Sequence, residues 1–357
     1  MPYKISGALN DSARILILKE SDWSIESNTE ESVGDYEIES LVSGTKTVLA
    51  LKSDGEVLGY GGISPEEYSS GGDRGVFGGG NGPTNVMDYI TISTPGNATD
   101  FGDLTVARYD LAACSNSTRG LFGGGYTSSD RVNVMDYITI STPGNATDFG
   151  DLTMDRSFLA ACSNSTRGVF GGGWTGPTNV MDYITISTPG NATDFGDLTV
   201  ARYDLAACSD STRGVFGGGS TGTYSNVMDY ITISTTGNAV DFGDLTVDRG
   251  YLAACSNSTR GVFGGGSTGT YSNVMDYITI STPGNATDFG DLTMDRSFLA
   301  ACSNSTRGVF GSGWTGSLTN VMDYITISTP GDATDFGDLT VARYDLAACS
   351  DCHGGLS

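Results

Sequence analysis

The chain has 357 residues and a net charge of −24, with 42 acidic side chains against 18 lysines and arginines. That balance excludes a basic surface for nucleic acid or anionic membrane, and a single histidine, His353, excludes histidine-based triads and histidine metal cages. No run of 18 apolar residues is present for membrane insertion, and the polar start without a signal peptide predicts synthesis in a cytoplasm.

Residues 1–60 read as short strands: Tyr3–Ala8, Ala13–Lys19, Tyr36–Leu41, Thr45–Lys52 and Val57–Tyr60, with turns at Asn10-Asp11 and Ser53-Asp54-Gly55. The run Gly34-Asp-Tyr36-Glu-Ile38-Glu-Ser-Leu41-Val-Ser-Gly44-Thr-Lys-Thr-Val48 resembles the carboxypeptidase-regulatory-like domain. That resemblance implies a small β-sandwich serving as an accessory module, without catalysis. So short a segment makes a marginal core, and it is expected to lean on the rest of the chain or on an assembly partner. Residues 61–73, rich in Gly, Ser and Glu, read as a linker.

From Arg74 to Ser350 the chain is six copies of one unit. The anchor Asp-Tyr-Ile recurs at Tyr89, Tyr137, Tyr183, Tyr230, Tyr277 and Tyr324, in steps of 48, 46, 47, 47 and 47. Such a period marks a solenoid, propeller or array. Each unit carries four strand-like runs, in the second copy Leu111–Cys114, Gly120–Gly124, Val134–Ser141 and Thr147–Leu152, separated by turn clusters. Four strands per unit predict a propeller blade. The first copy lacks the Ala-Ala-Cys strand, and the chain ends its last copy with that strand, Ala342 to Ser350. The final strand is expected to complete the first blade, giving a closed six-bladed propeller over 74–350 and a tail at 351–357.

The order Arg, glycine run, Asp-Tyr resembles the kelch repeat, although the following aromatic is Phe101, Phe149, Phe195, Phe242, Phe289 or Phe336, twelve residues after the Tyr, where kelch blades place a nearer Trp. The phrase Asn-Val-Met-Asp-Tyr-Ile-Thr-Ile-Ser-Thr-Pro-Gly-Asn-Ala-Thr-Asp-Phe-Gly-Asp-Leu-Thr is similar to repeat-bearing structural proteins of tailed phages, particularly those of marine cyanobacteria. What this implies is a virion component, made in the bacterial host cytoplasm.

Residues 74–357 carry 28 Asp, 13 Arg and no Glu, which removes the Tyr–Glu pair of six-bladed sialidases. Asp-Phe-Gly recurs without the companion lysine of a kinase. The glycine runs precede no helix and cradle no phosphate. Paired acids such as Asp100 and Asp103 read as a solvated outer strand and not a calcium ladder. Cys114, Cys162, Cys208, Cys255, Cys302 and Cys349 share one slot and read as reduced, buried thiols. Cys349-Ser-Asp-Cys352-His353 matches the c-type haem signature, but Cys352 is one substitution from the repeat serine, and no second axial ligand lies near. No metal, cofactor or catalytic residue is expected.

Contact is expected on the face where the loops after the second and fourth strands emerge, because the copies differ there: Tyr126, Trp174, Tyr224, Tyr271 and Trp314 in the first set, and Tyr109, Phe158, Tyr203, Tyr251, Phe298 and Tyr344 in the second. Arg108, Arg156, Arg202, Arg249, Arg296 and Arg343 stand next to the second set. They either ring the channel mouth to hold a ligand or tie adjacent blades through an Asp or a carbonyl. Two functions fit: a non-enzymatic virion protein, as tail or baseplate appendage or capsid decoration, or an intracellular kelch-like interaction scaffold. The expected partners are other virion proteins or a host-surface glycan or protein, with the chain a homo-oligomer.

Overall fold

The computed structural model describes residues 73–356 and, before them, the backbone of the strands between Ile5 and Ile63. The chain divides into two units, Met1–Gly71 and Gly72–Ser357. In the first, Ile5–Leu9 pairs antiparallel with Gly34–Ile38, and a four-stranded antiparallel sheet runs in the order Ser24–Glu31, Ala13–Lys19, Lys46–Lys52, Val57–Ile63. The strand Ser24–Glu31 was not predicted, because Ser-Ile-Glu-Ser-Asn-Thr-Glu-Glu is poor in β-branched and aromatic residues. It takes one edge of the four-stranded sheet. The expected sandwich packing lies outside the described residues, and so does most of the linker expected over residues 61–73; its first three residues, Gly61 to Ile63, belong instead to the strand Val57–Ile63.

The second unit is a six-bladed propeller of four-stranded antiparallel sheets. Blade 1 is made from both ends of the unit: Ala347–Ser350 pairs with Arg74–Gly78, Cys349 opposite Val76, followed by Val86–Thr91 and Thr99–Asp103. Blade 2 comprises Ala112–Ser115, Arg119–Gly123, Val134–Thr139 and Thr147–Asp151, and blades 3 to 6 repeat it. The inner strand Ala112–Ser115 touches both Ala347–Ser350 and Ala160–Ser163, and so on around the ring.

The apolar core lies between blades. Val76, Met87 and Phe101 of blade 1 pack on Phe122, Ile138 and Ile140 of blade 2. The closing interface is equivalent, with Val309, Met322 and Phe336 of blade 6 against Phe77, Ile90 and Ile92 of blade 1. Each blade therefore depends on its neighbours for its core.

Two further devices join the blades. Arg74, Arg119, Arg167, Arg213, Arg260 and Arg307 open the second strands, and each guanidinium stacks 4.2–4.4 Å over the Tyr ring of its own blade. The same group donates to a carbonyl of the next blade, Arg119 to Ile186 at 3.0 Å and, closing the circle, Arg307 to Ile92 at 3.0 Å. The glycine that follows each Arg receives the cysteine of the preceding blade. A Cβ on Gly120 would lie 2.6 Å from Cys349 Sγ, so only glycine leaves room for the thiol. The six repeat cysteines are buried and free, and each fills a notch between blades, while the alanine before it, such as Ala113, lines the channel.

Candidate functional site: the loop-side mouth of the channel

The inner strands run from an Asp-Leu or equivalent pair at one mouth of the channel to Ser at the other. At the serine end each hydroxyl donates to the serine carbonyl of the preceding blade, from Ser115 to Ser350 at 2.6 Å through Ser350 to Ser303 at 2.7 Å, a ring of six bonds. The tail crosses this mouth. Gly355 N–H donates to His353 Nδ1 at 3.0 Å, so Nε2 carries the proton and donates to the Ser115 carbonyl at 3.1 Å. Burial holds the imidazole down at about 4 and hence neutral.

The opposite mouth is where the sequence copies diverge. Loop and connector are zipped together there by isolated bridges: Tyr109 to Tyr126, Ser157 to Trp174, Tyr203 to Ser220, Gly250 to Ser267 and Ser297 to Trp314.

The six arginines proposed for this face are not part of its surface. Arg108, Arg156, Arg202, Arg249, Arg296 and Arg343 are 0–1 % exposed. Each guanidinium pairs with an Asp of the third strand, Arg108 with Asp136 at 2.7 Å and Arg343 with Asp88 at 2.8 Å, and donates to nearby carbonyls, such as Arg108 to Phe122 at 3.1 Å. The Thr three residues earlier hydrogen-bonds the same carboxylate, as Thr153 does to Asp182 at 2.6 Å. The backbone of Arg108 meanwhile bonds to Gly80 and Thr84 of blade 1, while its side chain grips blade 2. Burial lowers the pKa of all six, opposed by the partner carboxylate. They tie blades, and a buried, fully engaged guanidinium has nothing left for a ligand beyond its Nε.

Two residues after each clamp arginine the chain turns left-handed. Asp110, Phe158, Asp204, Tyr251, Phe298 and Asp345 all have φ between 56° and 60°. Such a backbone is strained for side chains of this size, by about 1–3 kcal/mol each. A ring of backbone bonds holds it: each N–H donates to the carbonyl of the equivalent residue in the preceding blade, closing from Asp345 to Phe298 and from Asp110 to Asp345. In ring order the side chains are Asp345, Asp110, Phe158, Asp204, Tyr251 and Phe298. They surround a cavity of about 100 Å³ floored by the six following leucines.

Asp110 and Asp204 are 6 % and 5 % exposed, and Asp110 Oδ1 and both oxygens of Asp204 receive no hydrogen bond. Burial raises both carboxyls well above the usual range, Asp110 further through Asp345, and burial brings Asp345 up to about 7. The Tyr251 hydroxyl is near enough to act on Asp204 without meeting it in a hydrogen bond.

The loop aromatics continue outward from this ring. Trp174 lies 4.6 Å from Tyr203, which lies 6.3 Å from Phe158; Phe158 meets Tyr251 at 6.4 Å, and Tyr251 meets Phe298 at 4.1 Å. Phe298 then meets Tyr344 at 5.6 Å, and Tyr344 meets Trp314 at 5.3 Å. Trp314 Nε1 donates to the Tyr271 hydroxyl at 2.8 Å, Tyr224 packs 6.4 Å from Tyr251, and Tyr126 packs 5.5 Å from Tyr109. All five loop aromatics named from the sequence thus share one face.

Sequence reasoning missed the acids Asp110, Asp204 and Asp345. The signal was the dipeptide after the clamp arginine, Tyr-Asp in three connectors and Ser-Phe or Gly-Tyr in the others. The aromatic series after the arginine is therefore two series, one in the ring and one outside it.

Among the described residues no group of His, Cys, Asp or Glu converges as a metal site. No protein-family model matches this chain, and a search of curated proteins found no match.

Proposed function

We propose that this chain is a non-enzymatic binding protein, a structural component of a tailed-phage virion whose propeller engages a host-surface glycan or protein, or a neighbouring virion subunit. The observation that carries the binding half is the belt of aromatic side chains around the acid-bearing mouth, on the face where near-identical blades differ most. Tyr and Trp in such positions offer apolar area with a polar tip, and a closed ring presents them on a rigid frame. Weak contacts repeated over blades, and over a homo-oligomer, add avidity without a deep pocket. The virion half rests on the repeat phrase. Within this reading the propeller is kelch-like, and residues 1–60 form the carboxypeptidase-regulatory-like sandwich that seats it on its assembly.

Replacing Trp174, Tyr224, Tyr271 and Trp314 together by Ala is the test. These side chains are half-buried or exposed, so the melting temperature should stay near that of the parent while labelled protein loses its hold on host cells and on purified particles. A variant that still attaches and assembles like the parent would overturn the loop-face reading.

A further inference from the structure

We propose that the ring of Asp110, Asp204 and Asp345 with Phe158, Tyr251 and Phe298 is a binding site for a protonated alkylamine, its ammonium held among the carboxylates and ring faces and its alkyl stem on the leucine floor. This rests on the loop face being a recognition face, and it names the chemistry recognised at that face's centre.

Three observations converge on a cation. First, Asp110 and Asp204 line the cavity, are more than nine-tenths buried, and have three oxygen atoms between them without a donor. Buried polar atoms are satisfied in nearly every folded protein, so an orphaned carboxylate oxygen calls for a partner from outside. Second, the protein supplies no cationic partner inside the cavity; beside Asp204 it offers only the neutral Tyr251 hydroxyl. The six clamp arginines are spent on other aspartates. Arg131, the one basic group acting on Asp110, stacks instead on Tyr126 at 5.6 Å. Third, the remaining walls are Phe158, Tyr251 and Phe298. Aromatic faces attract a desolvated ammonium by roughly 0.5–2 kcal/mol each.

The other ligand classes fit poorly. A hard metal ion wants six or more oxygens around one point, and three acids spread around a ring that is half aromatic form no metal-holding group. An anion meets three carboxyls. A neutral sugar would leave the buried carboxylate oxygens without a charge partner, whereas an alkylammonium brings both a charge for the acids and an apolar stem for the leucines.

Burial raises all three carboxyls, Asp345 to about 7. An entering ammonium favours their ionised forms, so binding releases protons and strengthens as pH rises through 7. The charged and ionisable groups around the ring are Asp110, Asp204, Asp345 and Arg131, with the phenols of Tyr109, Tyr251 and Tyr344, held protonated by burial, and the neutral amide of Asn81 beside Asp345.

The experiment is calorimetric titration of the full chain with n-butylammonium chloride, with n-butanol and calcium chloride as controls, in two buffers of different ionisation enthalpy. The result expected is saturable one-to-one binding of butylammonium with proton release, and none of butanol. Asp204→Asn, and Asp110→Asn with Asp345→Asn, should each weaken it by about tenfold or more. If a variant folds poorly, the parent still decides: butylammonium should raise its melting temperature and butanol should not. No saturable binding, equal binding of butanol, or tighter binding of calcium overturns the proposal. A lysine-bearing peptide and free cadaverine then distinguish a partner's side chain from a free diamine. Should the amine fail while the quadruple aromatic variant loses attachment, the loop-face reading stands and only the amine site falls.

Discussion

At the scale of single residues, the six clamps explain how each blade seats an ion pair inside an apolar core. A buried arginine is costly unless its charge and its donors are met. Here each has a carboxylate, at least two carbonyls and the support of a threonine that fixes the carboxylate, as in Arg202, Asp229 and Thr199. The asymmetry of such pairs gives a prediction. Asp229→Ala leaves an uncompensated buried guanidinium and should cost about 3–5 kcal/mol. Arg202→Met combined with Asp229→Ala removes the charges together and should cost far less than those two single changes summed. Denaturant unfolding of the four proteins measures the coupling; strict additivity would show that the pair is not the unit.

At the scale of elements, the strands and their pairing were legible because turn clusters of Gly, Asn, Ser and Pro bracket every run, and because the repeat supplied six readings of each boundary. The closing strand was legible from a missing first strand and a surplus last one. For the arginines the sequence left a tie through an Asp as one of two readings and did not show which Asp, since the partners stand 26 to 28 residues away on another strand, or 255 for Arg343 and Asp88. Nor was the acid ring legible: an αL turn directs successive side chains differently, so Tyr109 and Phe158, alike in the sequence pattern, stand in different registers. The tail at 351–357 carried no assigned place in the sequence and docks across the serine mouth, which yields a pH prediction. His353 docks neutral, its pKa depressed from 6.5 to about 4. Its docking free energy is therefore fully present above about pH 6.5 and is lost as pH falls toward 4. Protonation also removes Nδ1 as the acceptor for Gly355. Asp351, raised by burial, works in the opposite direction and narrows the effect. Hydrogen-exchange protection at Gly355 should drop between pH 7 and pH 5 in the parent, and the drop should flatten in His353→Gln. A tail equally protected at both pH values would count against its being held by the neutral imidazole.

At the scale of the whole molecule, stability is a property of the circle. No blade owns a core, and every contact type between blades 6 and 1 repeats one found between other neighbours: the apolar cluster, the Arg307 bond to Ile92, the Cys302 thiol against Gly75, and the Arg343 clamp on Asp88. Ending the chain after Asp338 removes Arg343 and the strand Ala347–Ser350 together, so that Arg74–Gly78 becomes an open edge and two of the interblade cores lose Leu346, Ala347 and Cys349. The loss falls on both sides of blade 1, because the inner strand touches blades 6 and 2 alike. The truncated chain should unfold over a broad range without a single cooperative transition, and its open edge should pair with other copies. Scanning calorimetry and size-exclusion chromatography read the two effects separately. A melting transition as sharp and as high as the parent's, from a species that remains monodisperse, would show that the blades hold without closure and that the last strand only covers an edge already stable by itself.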